Sequence, residues 1–147
     1  MYGSVQTISF VYATLIAVPL GPMRKIAIIE DVEDNRDLLY YLLRDEFKVT
    51  RFSSGEEALQ QFAVDSPDLI VLDIRLPGID GVEVLKRVRQ HEQLRNIPVL
   101  ALTAHAMSGD REKYLSAGFD EYASKPIVDL TGFVGMVHRL LISSEPV

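Results

Sequence analysis

A chain of 147 residues, 48% hydrophobic and 24% charged, suits a single globular domain with one sizeable core. Its formal net charge of −6, with no run of Lys and Arg, argues against nucleic acid as a partner, because a phosphate backbone would meet net repulsion. The lack of cysteine excludes disulfides, thiolate catalysis and Cys-based zinc sites, and fits a cytoplasmic protein.

Residues 1–22 contain no Lys, Arg, Asp or Glu, and Ile8 to Leu20 is largely apolar. That stretch falls short of the ~20 residues needed to cross a bilayer. No positive charge precedes Arg24, whereas a secretory signal carries one near its start. No membrane span is expected. We expect residues 1–22 to be an over-extended start or a disordered tail, with a membrane-associating tail as the sharper alternative. A domain over 23–142 and a short tail over 143–147 complete the expected organisation.

From Met23 onward, strand-like runs alternate with helical periodicity. Lys25–Ile29 predicts the first strand, and Leu38, Leu39, Leu42 and Leu43 form the first helical stripe. Lys48–Phe52 predicts a second strand, followed by Ser54-Gly55 and a stripe of Ala58, Leu59, Phe62 and Ala63. A third strand is expected over Asp68–Asp73; Pro77-Gly78 then turns the chain into a helix with Gly81, Val84, Leu85 and Val88 on one face. The fourth strand is expected over Ile97–Leu102, and the helical segment after Met107 has a thin apolar face that ends at Ala117-Gly118. Glu121–Ser124 predicts the fifth strand. Asp129 is a candidate N-cap for the last helix, striped by Leu130, Phe133, Val134, Val137, Leu140 and Leu141. Gly132 and Gly135 inside that helix are unfavourable there, and close packing is the only reason the sequence suggests.

The first, third and fourth strands are nearly continuous Ile, Val, Leu and Ala, as expected of parallel strands covered on both faces. The pattern predicts a (βα)5 α/β fold, a doubly wound three-layer sandwich whose five-stranded parallel sheet has the flavodoxin-like order 2-1-3-4-5. In such sheets ligands bind beyond the carboxyl ends of the strands. Those ends carry Glu30-Asp31, Asp73, Thr103 and Lys125-Pro126.

Each of these residues alone has an ordinary role: Asp31, Asp73 or Thr103 as a helix cap, Lys125 as a solvated surface lysine, Tyr122 as half-buried packing. Together they form a pocket chemistry. Clustered carboxylates repel one another unless a cation neutralises them, and a hard divalent ion takes oxygen ligands together with a phosphate oxygen. An ammonium and a hydroxyl opposite could hold further phosphoryl oxygens.

The motifs in order resemble the receiver domains of bacterial two-component signalling, from Arg24 to about Leu141. Ile28-Ile29-Glu30-Asp31 is similar to the family's acidic pair, and the run from Asp68 through Asp73 to Gly81 to its phosphoacceptor segment. Leu102-Thr103-Ala104 resembles the switch threonine, and Ser124-Lys125-Pro126 the lysine-proline. Ala117 to Tyr122 resembles the approach to that lysine.

The resemblance implies that Asp73 accepts a phosphoryl group from a phosphohistidine. Asp31, Asp73 and the backbone carbonyl of Arg75 would bind Mg2+ (or Mn2+), with Glu30 reaching it directly or through water. Lys125 and Thr103 would bind phosphoryl oxygens. Thr103 and Tyr122 would act as the switch, remodelling the face of the fourth helix, fifth strand and fifth helix. Arg75 and His105 are candidates for tuning the phosphoryl lifetime, and the Lys125–Pro126 bond is expected to be cis.

The implied protein is a signalling switch, not a dedicated enzyme, although it would catalyse its own aspartyl phosphorylation and slow dephosphorylation. Its implied partners are a sensor histidine kinase or histidine phosphotransfer protein and a downstream protein target, and a phosphorylation-dependent homodimer is left open. With only six residues after Leu141, the output is expected to be a protein contact. The main rival is a phosphorylation-independent scaffold on the same fold, which would usually lack one of these site residues. A haloacid-dehalogenase-type phosphatase wants a second Asp two residues past the first, where Arg75 stands, and no Gly-rich nucleotide loop is present.

Overall fold

A computed structural model describes residues 21–104, 107 and 109–145. Expectations for residues 1–20 and for His105 lie outside the described residues. Ten elements alternate: β1 (Lys25–Ile29), α1 (Glu33–Leu43), β2 (Lys48–Phe52), α2 (Gly55–Phe62), β3 (Leu69–Asp73), α3 (Gly81–Gln90), β4 (Val99–Thr103), α4 (Asp110–Ala117), β5 (Glu121–Ser124) and α5 (Leu130–Ser143). All strand pairings are parallel, and the sheet order is β2-β1-β3-β4-β5, as the alternating pattern predicts.

Two strands begin later than expected. Pro98 has no N–H for the ladder, but its carbonyl accepts from Ile70 N–H at 3.0 Å, so β4 starts at Val99 and runs through Thr103. Asp68 sits just before β3, where its N–H donates to Lys25 O at 2.8 Å and its carboxylate accepts from Lys25 N–H at 2.7 Å.

Side-chain alternation divides the core between the two faces of the sheet. Ala27, Ile29, Ile70, Leu72, Val99 and Ala101 meet α2 and α3 through Ala58, Phe62, Val84, Leu85 and Val88. Ile26, Ile28, Leu69, Val71, Leu100 and Leu102 meet α1 and α5 through Leu39, Leu43, Phe133, Val137 and Leu141. At ~25 cal/mol per Å2 of apolar surface, burial of these side chains is the main stabilising term.

Helix starts follow local capping chemistry. The side chains of Ser54, Asp80 and Asp129 accept from Glu57, Glu83 and Gly132 N–H, respectively. Gly132 has a packing reason: a Cβ there would lie 2.1 Å from the Asp129 cap carboxylate. Nothing comparable constrains Gly135. Helices α1 and α4 start after Val32 and Gly109 without a side-chain cap, and α4 differs further in having no buried residue.

Candidate functional site

Parallel pairing aligns the carboxyl ends of β1, β3, β4 and β5 along one edge, with Asp73 in register with Leu102 and Thr103 with Ser124. Glu30 follows β1 directly and is fully buried, its N–H bonded to Phe52 O at 3.0 Å. Asp73 closes β3 at 2% exposure, and Thr103 closes β4 at 5%. Lys125 follows β5, with its N–H donated to Thr103 O at 2.7 Å and a cis bond to Pro126.

These placements bring the side chains together. Lys125 Nζ donates to Asp73 Oδ2 at 2.8 Å and to Glu30 Oε1 at 3.2 Å. Asp73 Oδ1 accepts Arg75 N–H at 3.0 Å. Carboxylate oxygens of Glu30, Asp31 and Asp73 all lie within 4.8 Å of one another. Asp31 is exposed, so the cluster opens to solvent on its side. The tight return of the chain beneath Asp73 depends on Gly81, where a Cβ would lie 2.4 Å from Asp73 O and 2.8 Å from Ile74 Cα.

The electrostatics are those of a site short of positive charge. Burial, and then the adjacent Asp73 carboxylate, pushes Glu30 up to about 7 despite the Asn35 hydrogen bond and the Lys125 charge. Burial works to lower the Lys125 ammonium, but Asp73 and Glu30 outweigh it and hold its pKa above the ordinary value. Three carboxylates facing one ammonium form an all-oxygen donor set that fits a hard divalent cation such as magnesium.

Tyr122 makes different contacts. Its ring stacks on Tyr114 of α4, with centroids 5.6 Å apart and planes at 19°. Among the described residues its buried hydroxyl has no hydrogen-bond partner, and burial raises its pKa. The Arg75 side chain is exposed.

Two residues absent from the sequence-based site complete its base. Asn35 Nδ2 donates to Glu30 Oε1 at 2.8 Å, and Arg36 Nη1 donates to the Glu30 carbonyl at 2.9 Å. Both lie in the first turn of α1, where Asn35 extends the face of Leu38, Leu39 and Leu42 toward Glu30 as a polar residue that the apolar stripe does not single out. Their available signal was a position one turn beyond the acidic pair.

The family model of the response regulator receiver domain matches residues 26–135. The polar-differentiation response regulator DivK of Brucella ovis is 43% identical over 105 residues, covering 71% of this chain and 85% of that protein. A solved structure from Chloroflexus aurantiacus J-10-fl, designated a response regulator, superposes with a TM-score of 0.77 at 35% identity, over 82% of this chain and 99% of that one. The receiver domain of the Pseudomonas aeruginosa sensor histidine kinase PA1611, solved with a magnesium ion coordinated in its active site cleft, gives 0.74 at 31% identity, covering 82% and 98%. On the match over residues 26–135, supported by these relatives, the chain belongs to the response regulator receiver family, whose members act as signalling switches and not as dedicated enzymes.

Proposed function

We propose that this protein is a phosphorylation-controlled switch whose phosphoacceptor is Asp73. The observation that carries this reading is the contact of Lys125 Nζ with Asp73 at 2.8 Å, inside the cluster that Asp73 forms with Glu30 and Asp31.

Asp31, Asp73 and the Arg75 carbonyl would hold a magnesium (or manganese) ion, with Glu30 reaching it directly or through water. When bound, the ion supplies charge neutralisation for the phosphoryl oxygens. An Asp73 carboxylate oxygen attacks the phosphorus of a phosphohistidine, the P–N bond breaks as the P–O bond forms, and the imidazole leaves. Lys125, already bonded to Asp73, takes one phosphoryl oxygen, and the Thr103 hydroxyl takes another. Lysine placement and cation binding carry most of the catalysis, because phosphoryl transfer needs positioning more than covalent help.

Output runs through Tyr122. The Tyr122 ring, stacked on Tyr114 of α4 at 5.6 Å, is the packing that a change of charge at Asp73 shifts. The face of α4, β5 and α5 is then the surface read by a downstream protein. The phosphodonor is a sensor histidine kinase or a histidine phosphotransfer protein. Cytoplasmic action fits, and among the described residues no helix is long and apolar enough to cross a membrane. The relatives lend no support to a homodimer.

Incubation with Mg2+ and acetyl phosphate, read by intact mass beside an Asp73→Asn control, tests the acceptor. A phosphoryl increment in the wild type alone is expected. Equal labelling of the variant would refute Asp73, and failure with a phosphohistidine donor as well would favour the scaffold.

A further inference from the structure

The start of α2 is clamped to the loop that follows Asp73. A Cβ at Gly55 would lie 2.3 Å from Val84 Cγ2 and 3.1 Å from Ile79 Cγ1, so the helix start presses on both α3 and the loop. One residue on, Glu56 Oε1 accepts Ile79 N–H at 2.9 Å. The same carboxylate covers Gly78, whose φ is +73° and where a Cβ would meet Glu56 Oε1 at 2.4 Å. The Ile79 N–H is the largest cause holding the Glu56 carboxyl below its ordinary value.

This contact fixes the middle of the segment 74–80. Its start is held by Arg75 N–H on Asp73 Oδ1 at 3.0 Å, and its end by Gly81 N–H on Ile74 O at 2.9 Å. Between them lies exposed Pro77-Gly78, a turn that no strand or helix restrains. A loop without its central tether must be ordered when a ligand binds, and that ordering weakens affinity.

We propose that Glu56 is a positioning residue for divalent-cation binding. Its carboxylate holds the loop that carries Arg75, whose carbonyl the proposed function assigns to the cation together with Asp31 and Asp73. This inference rests on the reading of that cluster as the cation site. It assigns to α2, which contributes no ligand, a share in the affinity.

Calorimetric titration of Mg2+ into wild type, Glu56→Ala and Glu56→Gln tests it, with hydrogen exchange of the Ile79 amide followed in the cation-free proteins. Glu56 is exposed, so the alanine variant is expected to fold. Glu56→Ala should bind Mg2+ about three- to tenfold more weakly, the size of one solvent-exposed hydrogen bond. Its Ile79 amide should exchange faster while β3 amides stay protected. Glu56→Gln, which keeps an acceptor oxygen, should recover most of the affinity. Unchanged affinity in Glu56→Ala beside a wild type that binds overturns the inference, as does a loss that Gln does not recover. A wild type that fails to bind Mg2+ contradicts the cation reading itself, and the inference falls with it.

Discussion

Every residue of β3 is buried, and the helix after it is capped by Asp80; β5 has no buried residue, and α4 beside it buries none either. The first region carries Asp73 and, through neighbouring β1, Glu30. The second is joined through the Tyr114–Tyr122 stack and an Arg111–Glu121 ion pair 3.3 Å long, the latter largely solvent-exposed on the arginine side. Groups that must hold a fixed geometry sit on the rigid part of the sheet, whereas the element proposed to report their state is held by few buried contacts. A switch needs both: a local charge change can shift only an element whose alternative packing is close in free energy.

Three predictions bear on that contrast. The largest effect is expected in the rigid part: Leu72→Ala, in fully buried β3, should cost about 2–5 kcal/mol in urea denaturation. A cost under ~1 kcal/mol would remove the contrast. The next concerns pH. Because Glu30 titrates near 7 in the fold against an ordinary 4.5, the folded state binds the extra proton between those values. Stability of the Mg2+-free protein should therefore fall as pH rises from about 4.5 to about 7, on the order of 3 kcal/mol, from this group. Saturating Mg2+ should shrink that fall by favouring the ionised carboxylate. Stability rising through the window in Glu30-intact protein but not in Glu30→Gln would reverse the sign and contradict the assigned environment. The smallest effect belongs to the looser part: Tyr114→Ala should cost about 1 kcal/mol globally but speed amide exchange in β5. Unchanged β5 exchange would show that the aromatic stack does not hold that strand.

The fold was legible because β1, β3 and β4 are so apolar that they read only as strands covered on both faces, and because Gly and Pro punctuate the turns between elements. The site was legible where chemistry coincided with strand ends, since parallel pairing brings Glu30, Asp73 and Lys125 together whatever the loops do. Asn35 and Glu56 were not. Each is an ordinary polar residue in the first turn or two of an amphipathic helix, and only three-dimensional packing turns one toward Glu30 and the other toward Ile79. The early start expected for β4 had a local cause as well: Ile97 is apolar but lies in a turn, its N–H bonded to Leu94 O at 3.0 Å.

The central claim is that charge added at Asp73 is read out through α4 and β5. The most direct test is amide NMR of the full chain with Mg2+, before and after addition of beryllofluoride as a phosphoryl mimic, with Asp73→Asn alongside. Beyond the residues lining the acceptor pocket, the account predicts shifts concentrated in α4, β5 and the start of α5, with β1 and the first residues of β3 unchanged and no response in the variant. Shifts confined to the pocket, or a response that survives in Asp73→Asn, would contradict it.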